Sequence, residues 1–283
     1  MRRVIAGLYR ARVIILYASV VTIFAGTIGA QVISAVVVRS VFQLLPLLGI
    51  IGMLLVLVVL RPGVKLLPHR EPVTVASPVG GRWLALNSPA TRVPSHGVRA
   101  YGQAHAVDLV FDPLGGTRPA FDTGIVLRYP SEYPAFGQPV RAMVDGVVVR
   151  ASDSQRDHRA RSSVLGFMYM MIEGTIREIG GPRLILGNHI TIRGNDGIYA
   201  LVAHVKQHSA LVKAGDLVVA GQPIAACGNS GNSSEPHVHA QLMDRASAWT
   251  GHGLPMLFAD VTIEDETETR DAMPADNEHL TAL

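Results

Sequence analysis

The stretch Glu235-Pro236-His237-Val238-His239-Ala240-Gln241-Leu242 sets two histidines in alternation along a short apolar run. On a β-strand, residues two apart point to the same face, so both imidazoles look into one space. Such a pair aims two nitrogen ligands, or one ligand and one proton-handling group, at a single point. Taken alone, the tripeptide reads equally well as two surface histidines beside a loop. What favours chemistry lies upstream: Ser95-His96-Gly97, then Gly102-Gln103-Ala104-His105-Ala106-Val107-Asp108-Leu109, then YALVAH ending at His204, then GDLVVAGQPI from Gly215 with Gly228-Asn229-Ser230-Gly231. A zinc hydrolase needs three protein ligands, an open fourth position, and groups that move protons or stabilise charge beside it. Two histidines and a carboxylate meet the first need, and two further histidines meet the second.

The elements that must carry these residues read as short strands between turns. A linker rich in proline, residues 61–72, runs into a first edge strand near residue 72, and Trp83 reads as core. Residues 124–128 form one strand, and residues 139–150 two strands around Asp145-Gly146. Residues 188–193 and 198–202 form a hairpin across Asn195-Asp196-Gly197, residues 215–224 a strand and turn, and His237 to Met243 the last strand. The pattern predicts an all-β domain, mainly antiparallel. One helix interrupts it over residues 162–179, inside an insertion of about residues 151–185. Packing as a buried helix is the favoured reading, with a helix lying on a membrane or over a groove as the alternative. The acidic residues 263–283, which include Pro274, read as a solvated, disordered tail.

Apolar residues make up 48% of the chain against a net charge of +3, so the apolar excess must be placed somewhere. Residues 13–38 and 41–60 carry no charge and are parted by Arg39-Ser40. Each is long enough to cross a bilayer, which takes about 20 residues, and together they exceed any signal peptide. A transmembrane α-helical hairpin over residues 13–60 follows, with residues 1–12 a basic N-terminus and the lipid bilayer a partner. Gly26 and Ala30 are small enough to let the helices approach, and Pro46 is expected to kink the second span. Arg2, Arg3, Arg10 and Arg12 precede the hairpin and Arg61, Lys65 and Arg70 follow it, so the positive-inside rule puts both ends in the cytoplasm. No basic stripe with interleaved aromatics is present, which argues against nucleic acid. The single Cys227 forbids an internal disulfide and reads as a small buried residue.

The order His…Asp, Tyr-x-x-x-x-His, Gly-Asp-x-Val-x-x-Gly-Gln-x-Ile, Gly-Asn-Ser-Gly and Pro-His-x-His resembles the lysostaphin-type zinc metallopeptidases, over about residues 73–260 and most specifically in the last third. The resemblance implies a largely antiparallel β domain, the duplicated hybrid motif, over residues 73–262. It also implies Zn²⁺ as cofactor and hydrolysis of peptide bonds in bacterial peptidoglycan. Asp108 and His239 match two metal ligands; His204 and His237 match the two catalytic histidines. Typical members place the third ligand four residues before the Asp, where this chain has Ala104. His96 is the favoured replacement and His105 the alternative. His105 lies three before Asp108, so on a strand it would face the other side. Tyr199 reads as packing, and His69, His158, His189, His208, His252 and His279 have no matching role. The insertion is expected to shape the groove. A wall peptidase must work outside the cytoplasm, against the arginine count. An inactive relative that binds wall or a partner is the alternative function. A lipoyl-type carrier is disfavoured, because Lys206 and Lys213 lie in no suitable turn. The sequence leaves oligomeric state open.

Overall fold

A computed structural model describes residues 1–67 and 70–283. His69 lies outside the described residues. The chain divides into two units, Met1–His69 and Arg70–Leu283.

The first unit is a helical hairpin, α1 (Arg2–Val32) and α2 (Val36–Lys65), with both helices long and apolar enough to cross a membrane. The turn falls at residues 33–35 and not at Arg39-Ser40, and the helices extend beyond the uncharged stretches at both outer ends. Hydropathy marks only the uncharged span. Arginine is itself a good helix former, and its long side chain can keep its charge in water from within a helical turn. Small residues do mediate the contact. A Cβ on Gly26 would fall 2.5 Å from the Pro46 ring, and one on Gly49 2.6 Å from the Ser19 carbonyl. The approach thus runs between glycines of each helix and the backbone or ring of the other. α2 continues through Pro46 and Pro62.

The second unit contains β1 (Val73–Val75), β2 (Gly81–Leu86), β3 (Val107–Phe111), β4 (Leu127–Arg128), β5 (Pro139–Arg141), β6 (Gly146–Ser152) and β7 (Ala160–Arg161). Then come α3 (Val164–Ile179), α4 (Pro182–Leu186), β8 (His189–Gly194), β9 (Tyr199–Ala203), β10 (Leu217–Val218), β11 (Pro223–Ala226) and β12 (Val238–Met243). β13 (Gly253–Leu254), β14 (Met256–Ile263), β15 (Arg270–Ala272) and β16 (His279–Ala282) complete the chain. The main sheet runs β1-β14-β16-β2-β3-β12-β9-β8-β6-β10, with β13 beside β12 and β15 beside β14. Every pairing is antiparallel except β1 with β14. β1 is at the sheet edge, as expected, and β8–β9 is the expected hairpin. The strands either side of Asp145-Gly146 do not pair with each other: β5 joins β11 and β6 joins β8. A local turn signal cannot tell a hairpin from a corner at which the chain leaves one sheet for another.

The core fills the inner face of the sheet. Trp83, Leu109, Ile190, Ile192, Leu242 and Phe258 are fully or almost fully buried in it. Alternation explains the choice. Val107 and Leu109 of β3 and Val238, Ala240 and Leu242 of β12 face the core, which leaves Asp108, His239 and Gln241 on the other face.

Two expectations are corrected. The insertion holds a second short helix, α4, and α3 is not buried: Gly166 alone of its residues is. The acidic tail is not disordered. β16 lies between β14 and β2, Leu280 sits opposite Trp83 and is fully buried, and Ala272 of β15 is buried too. The acids of this stretch face outward, while one short apolar alternation turns inward. A run of four residues paired to partners nearly 200 positions away has no local periodicity to reveal it.

Candidate metal centre

β12 lies between β3 and β9. His239 is opposite Asp108 on one side and opposite Ala203 on the other, so its imidazole and the Asp108 carboxylate share one face. Its Nδ1 is 2.9 Å from Asp108 Oδ1. His96 comes from the loop between β2 and β3, and its Nε2 is 3.1 Å from Asp108 Oδ2. Ligand atoms of His96, Asp108 and His239 all lie within 4.8 Å of one another. No other group of this kind occurs among the described residues.

The hydrogen bonds around this trio decide which atoms face inward. Gln241 Nε2 donates to the Tyr101 carbonyl (2.9 Å), which leaves Gln241 Oε1 to accept from His239 Nε2–H at 2.9 Å. The His239 Nδ1 lone pair is thereby aimed at the carboxylate. Ser95 Oγ donates to the Gln103 carbonyl at 3.2 Å and accepts from His96 Nδ1–H at 3.1 Å, which turns the His96 Nε2 lone pair inward as well. Asn87 Nδ2 donates to Asp108 Oδ2 at 2.8 Å. The result is a carboxylate facing two imidazole lone pairs, an arrangement that only a proton or a cation between them relieves. Two imidazoles and one carboxylate are a donor set that zinc takes in catalytic sites.

His237 and His204 flank the trio, their ring centroids 4.6 Å apart, and His204 is 5.8 Å from His239. His237 is on the site face because it is two residues before His239. His204 has the parity of Ala200 and Val202, both of which face the core. Its left-handed backbone, φ 61°, breaks the alternation just past β9 and turns the ring to the site. Each ring is oriented by a carbonyl: His204 Nδ1–H donates to Ser230 (2.8 Å) and His237 Nδ1–H to Glu235 (2.8 Å). Both Nε2 atoms are left for the site. Gly231 lies so close to Gly187 that a Cβ on it would fall 2.4 Å from the Gly187 nitrogen, which explains the glycine beside Ser230.

All five side chains are largely withdrawn from water, and burial bears on the ionisation of Asp108, His204, His237 and His239. Burial opposes charge on Asp108, but His96, His237 and His239 outweigh it and hold the carboxyl well below its usual range. Burial and the neighbouring His237 and His239 push His204 well below the ordinary imidazole value. Burial lowers His239 too, more than Asp108 raises it. Burial would lower His237 as well, yet Asp108 and the Glu235 carbonyl raise it. A cavity of about 450 Å³ is lined by Asp112, Arg118, Phe121, Tyr133, Arg161 and Glu235, the last of which is two residues before His237 in sequence. Arg118 forms a forked ion pair with Glu235, and burial and Glu235 push the Tyr133 hydroxyl up to about 12.

His96, Asp108, His204, His237 and His239 thus converge. His105 does not join the trio: it ends a 3-10 turn, Ala100–His105, just ahead of β3. Tyr199 packs, half-buried, beside Leu201 and Ala203. His158 and His189 are buried and bond backbone carbonyls. Sequence reasoning missed Asn87, Ser95 and Gln241. Gln241 was within reach, being two residues past His239 and so on its face; Asn87 meets Asp108 only through the pairing of β2 with β3.

Residues 168–250 match the model of Peptidase family M23. This stretch of the second unit is similar to that family. The matched stretch contains His204, His237 and His239, while His96 and Asp108 precede it. Among solved structures, the chain is similar to the catalytic domain of the antimicrobial peptidase lysostaphin from Staphylococcus simulans, at 24% identity and TM-score 0.31, over 55% of this chain and 80% of that one. The match covers 45% of the longer lysostaphin chain. The catalytic domain of the prophage-encoded M23 protein EnpA from Enterococcus faecalis, solved as a point mutant, aligns at 21% identity and TM-score 0.32, over 66% of this chain and 92% of that one. A zinc-containing peptidase from Vibrio cholerae aligns at 19% identity and TM-score 0.27, over 53% and 50%.

Proposed function

We propose that the protein is a membrane-anchored, zinc-dependent endopeptidase that hydrolyses peptide bonds in bacterial peptidoglycan. The observation that carries the reading is the inward pair of imidazole lone pairs, His96 Nε2 and His239 Nδ1, set 3.1 and 2.9 Å from the two oxygens of one carboxylate. His96, Asp108 and His239 would hold the ion, and His105 has no part in it. Zinc there would supply Lewis-acid polarisation of the scissile carbonyl and acidification of a water. His204 and His237 do the proton work, because their Nδ1 atoms are engaged by carbonyls and each presents only Nε2. They orient the attacking water, accept or relay its proton, and steady the developing oxyanion. The cavity beside Glu235 receives one side of the peptide, with the Tyr133 hydroxyl as a neutral donor.

The test is the zinc content of the full chain in detergent, read beside digestion of cross-linked peptidoglycan fragments. About one zinc per chain is expected in the parent and in His105→Ala, and none in His96→Ala or His239→Ala. His237→Ala is expected to keep zinc and lose about 10²-fold or more in turnover. Turnover retained in His239→Ala would falsify the assignment. A folded parent without zinc would favour an inactive relative that binds wall or a partner. The reading also requires the second unit to lie outside the cytoplasm, against the positive-inside count. Protease added to intact cells is expected to remove it; full protection would mean a substrate other than wall.

A further inference from the structure

We propose that α3 is an interfacial helix whose outer face seats in the lipid surface of a bilayer. This inference rests on the helix itself and not on the hydrolase reading.

The polarity of α3 is inverted relative to a helix on a water-facing domain. Its charged residues bond to the rest of the domain. Glu173 pairs with Arg161 and accepts from Arg177 at 2.7 Å; Arg177 also reaches the Gly231 carbonyl, and Glu178 accepts from the Tyr101 hydroxyl at 2.7 Å. Its apolar residues face outward: Leu165, Met168, Met171, Ile172, Ile176 and Ile179 are between 58% and 76% exposed. A monomer in water does not leave so continuous an apolar strip uncovered. Ser163 caps the first turn by accepting from Gly166 N–H, so the helix is a defined element and not a frayed loop. Its sixteen residues extend about 24 Å, enough to lie along a surface and too short to cross one.

Two observations select lipid as the occupant. The first is charge. Exposed Arg156 and Arg159 line one cavity with Tyr169 and Glu173 of α3, and both glutamates of the helix are already engaged. A strip of Leu, Met and Ile with arginines at its margin is the composition that binds the headgroup–acyl boundary of anionic membranes. The second is proximity. The chain brings its own bilayer-length helices, and only residues 66–72 separate the end of α2 from β1. A tether this short keeps lipid at high effective concentration, whereas a soluble partner must be recruited. Through Arg177 and Gly231, next to the Ser230 carbonyl that orients His204, the seat would also hold this loop at the membrane surface.

The experiment uses the full chain in vesicles of phosphatidylcholine and phosphatidylglycerol. Cys227 is buried, so a cysteine placed at Leu165, Ile172 or, as control, the exposed Leu217 of β10 is labelled selectively with an environment-sensitive fluorophore. All three positions are exposed, so the substitutions do not disturb packing. Blue-shifted emission at Leu165 and Ile172, quenched several-fold more strongly by acyl-brominated lipid than at Leu217, is the expected result. Quenching at Leu165 should fall when Met171→Glu and Ile172→Glu are added, and when phosphatidylglycerol is omitted. Water-like emission at both helix positions would overturn the proposal. So would a blue shift that grows with chain density and escapes the lipid quencher, since a second copy would then cover the face.

Discussion

Gln241 is the residue on which the geometry of His239 depends. Its amide is held by the Tyr101 carbonyl, so it can only accept from the imidazole, and that choice aims Nδ1 at Asp108. Gln241→Ala should leave the fold intact and lower zinc affinity by about 10- to 100-fold, the usual cost of losing a partner behind a ligand. Gln241→Glu, which keeps the acceptor, should restore most of it. Competition with a chromogenic chelator measures both; equal affinities in parent and Gln241→Ala would show that strand pairing alone sets the ring. At this scale the sequence was informative about residue identity. Alternation put His237 and His239 on one face, and Asp108 met them across the β3–β12 pair. His204 is the exception, since strand parity would send it to the core and only its left-handed backbone returns it.

Among the elements, β16 is the one whose importance was hidden. Leu280 is fully buried and paired to Trp83, on a strand flanked on both sides within the sheet. Leu280→Ala should cost about 2–5 kcal/mol, the range for a buried leucine that leaves a cavity. Urea titration monitored by tryptophan emission would read it. A loss below about 0.5 kcal/mol, the surface range, would return the segment to the status of a tail. The same blindness affected the insertion. The apolar residues of α3 predicted burial, but its first turns are apolar nearly all round, and composition cannot say which side meets the domain. The ion pair of Glu173 with Arg161 and the hydrogen bond of Arg177 to the Gly231 carbonyl settle that, and Gly231 is far from the helix in sequence.

On the scale of the whole second unit, buried histidines outside the site tie stability to pH. Burial lowers the pKa of His158 and of His189 below the ordinary 6.5, since both are kept neutral by desolvation. A depressed folded value means that the unfolded chain binds protons first. The stabilisation is complete above pH 6.5 and is lost as pH falls from there through the lowered folded values. His237, raised by Asp108, works in the opposite direction, so the parent's profile alone is a mixture. The useful comparison is therefore His158→Gln, which keeps a donor for the Gly231 carbonyl. Between about pH 7 and 5, where an imidazole titrates, the parent should lose more stability than the variant. Parallel urea midpoints across that interval would remove His158 from the account.

What the sequence determined by itself was local in origin. Strands follow from alternation, the hairpin of β8 and β9 from its turn, bilayer-length helices from uncharged runs, and the histidine pair from a period of two. These are properties of neighbouring residues, and neighbours are what a sequence displays. The tertiary structure decided whatever depended on partners distant along the chain. It brought His96, from a loop, to the carboxylate instead of His105, and made a strand of an acidic tail by giving it two neighbours to pair with. It also turned α3 outward, because its charged side chains found their partners on the domain.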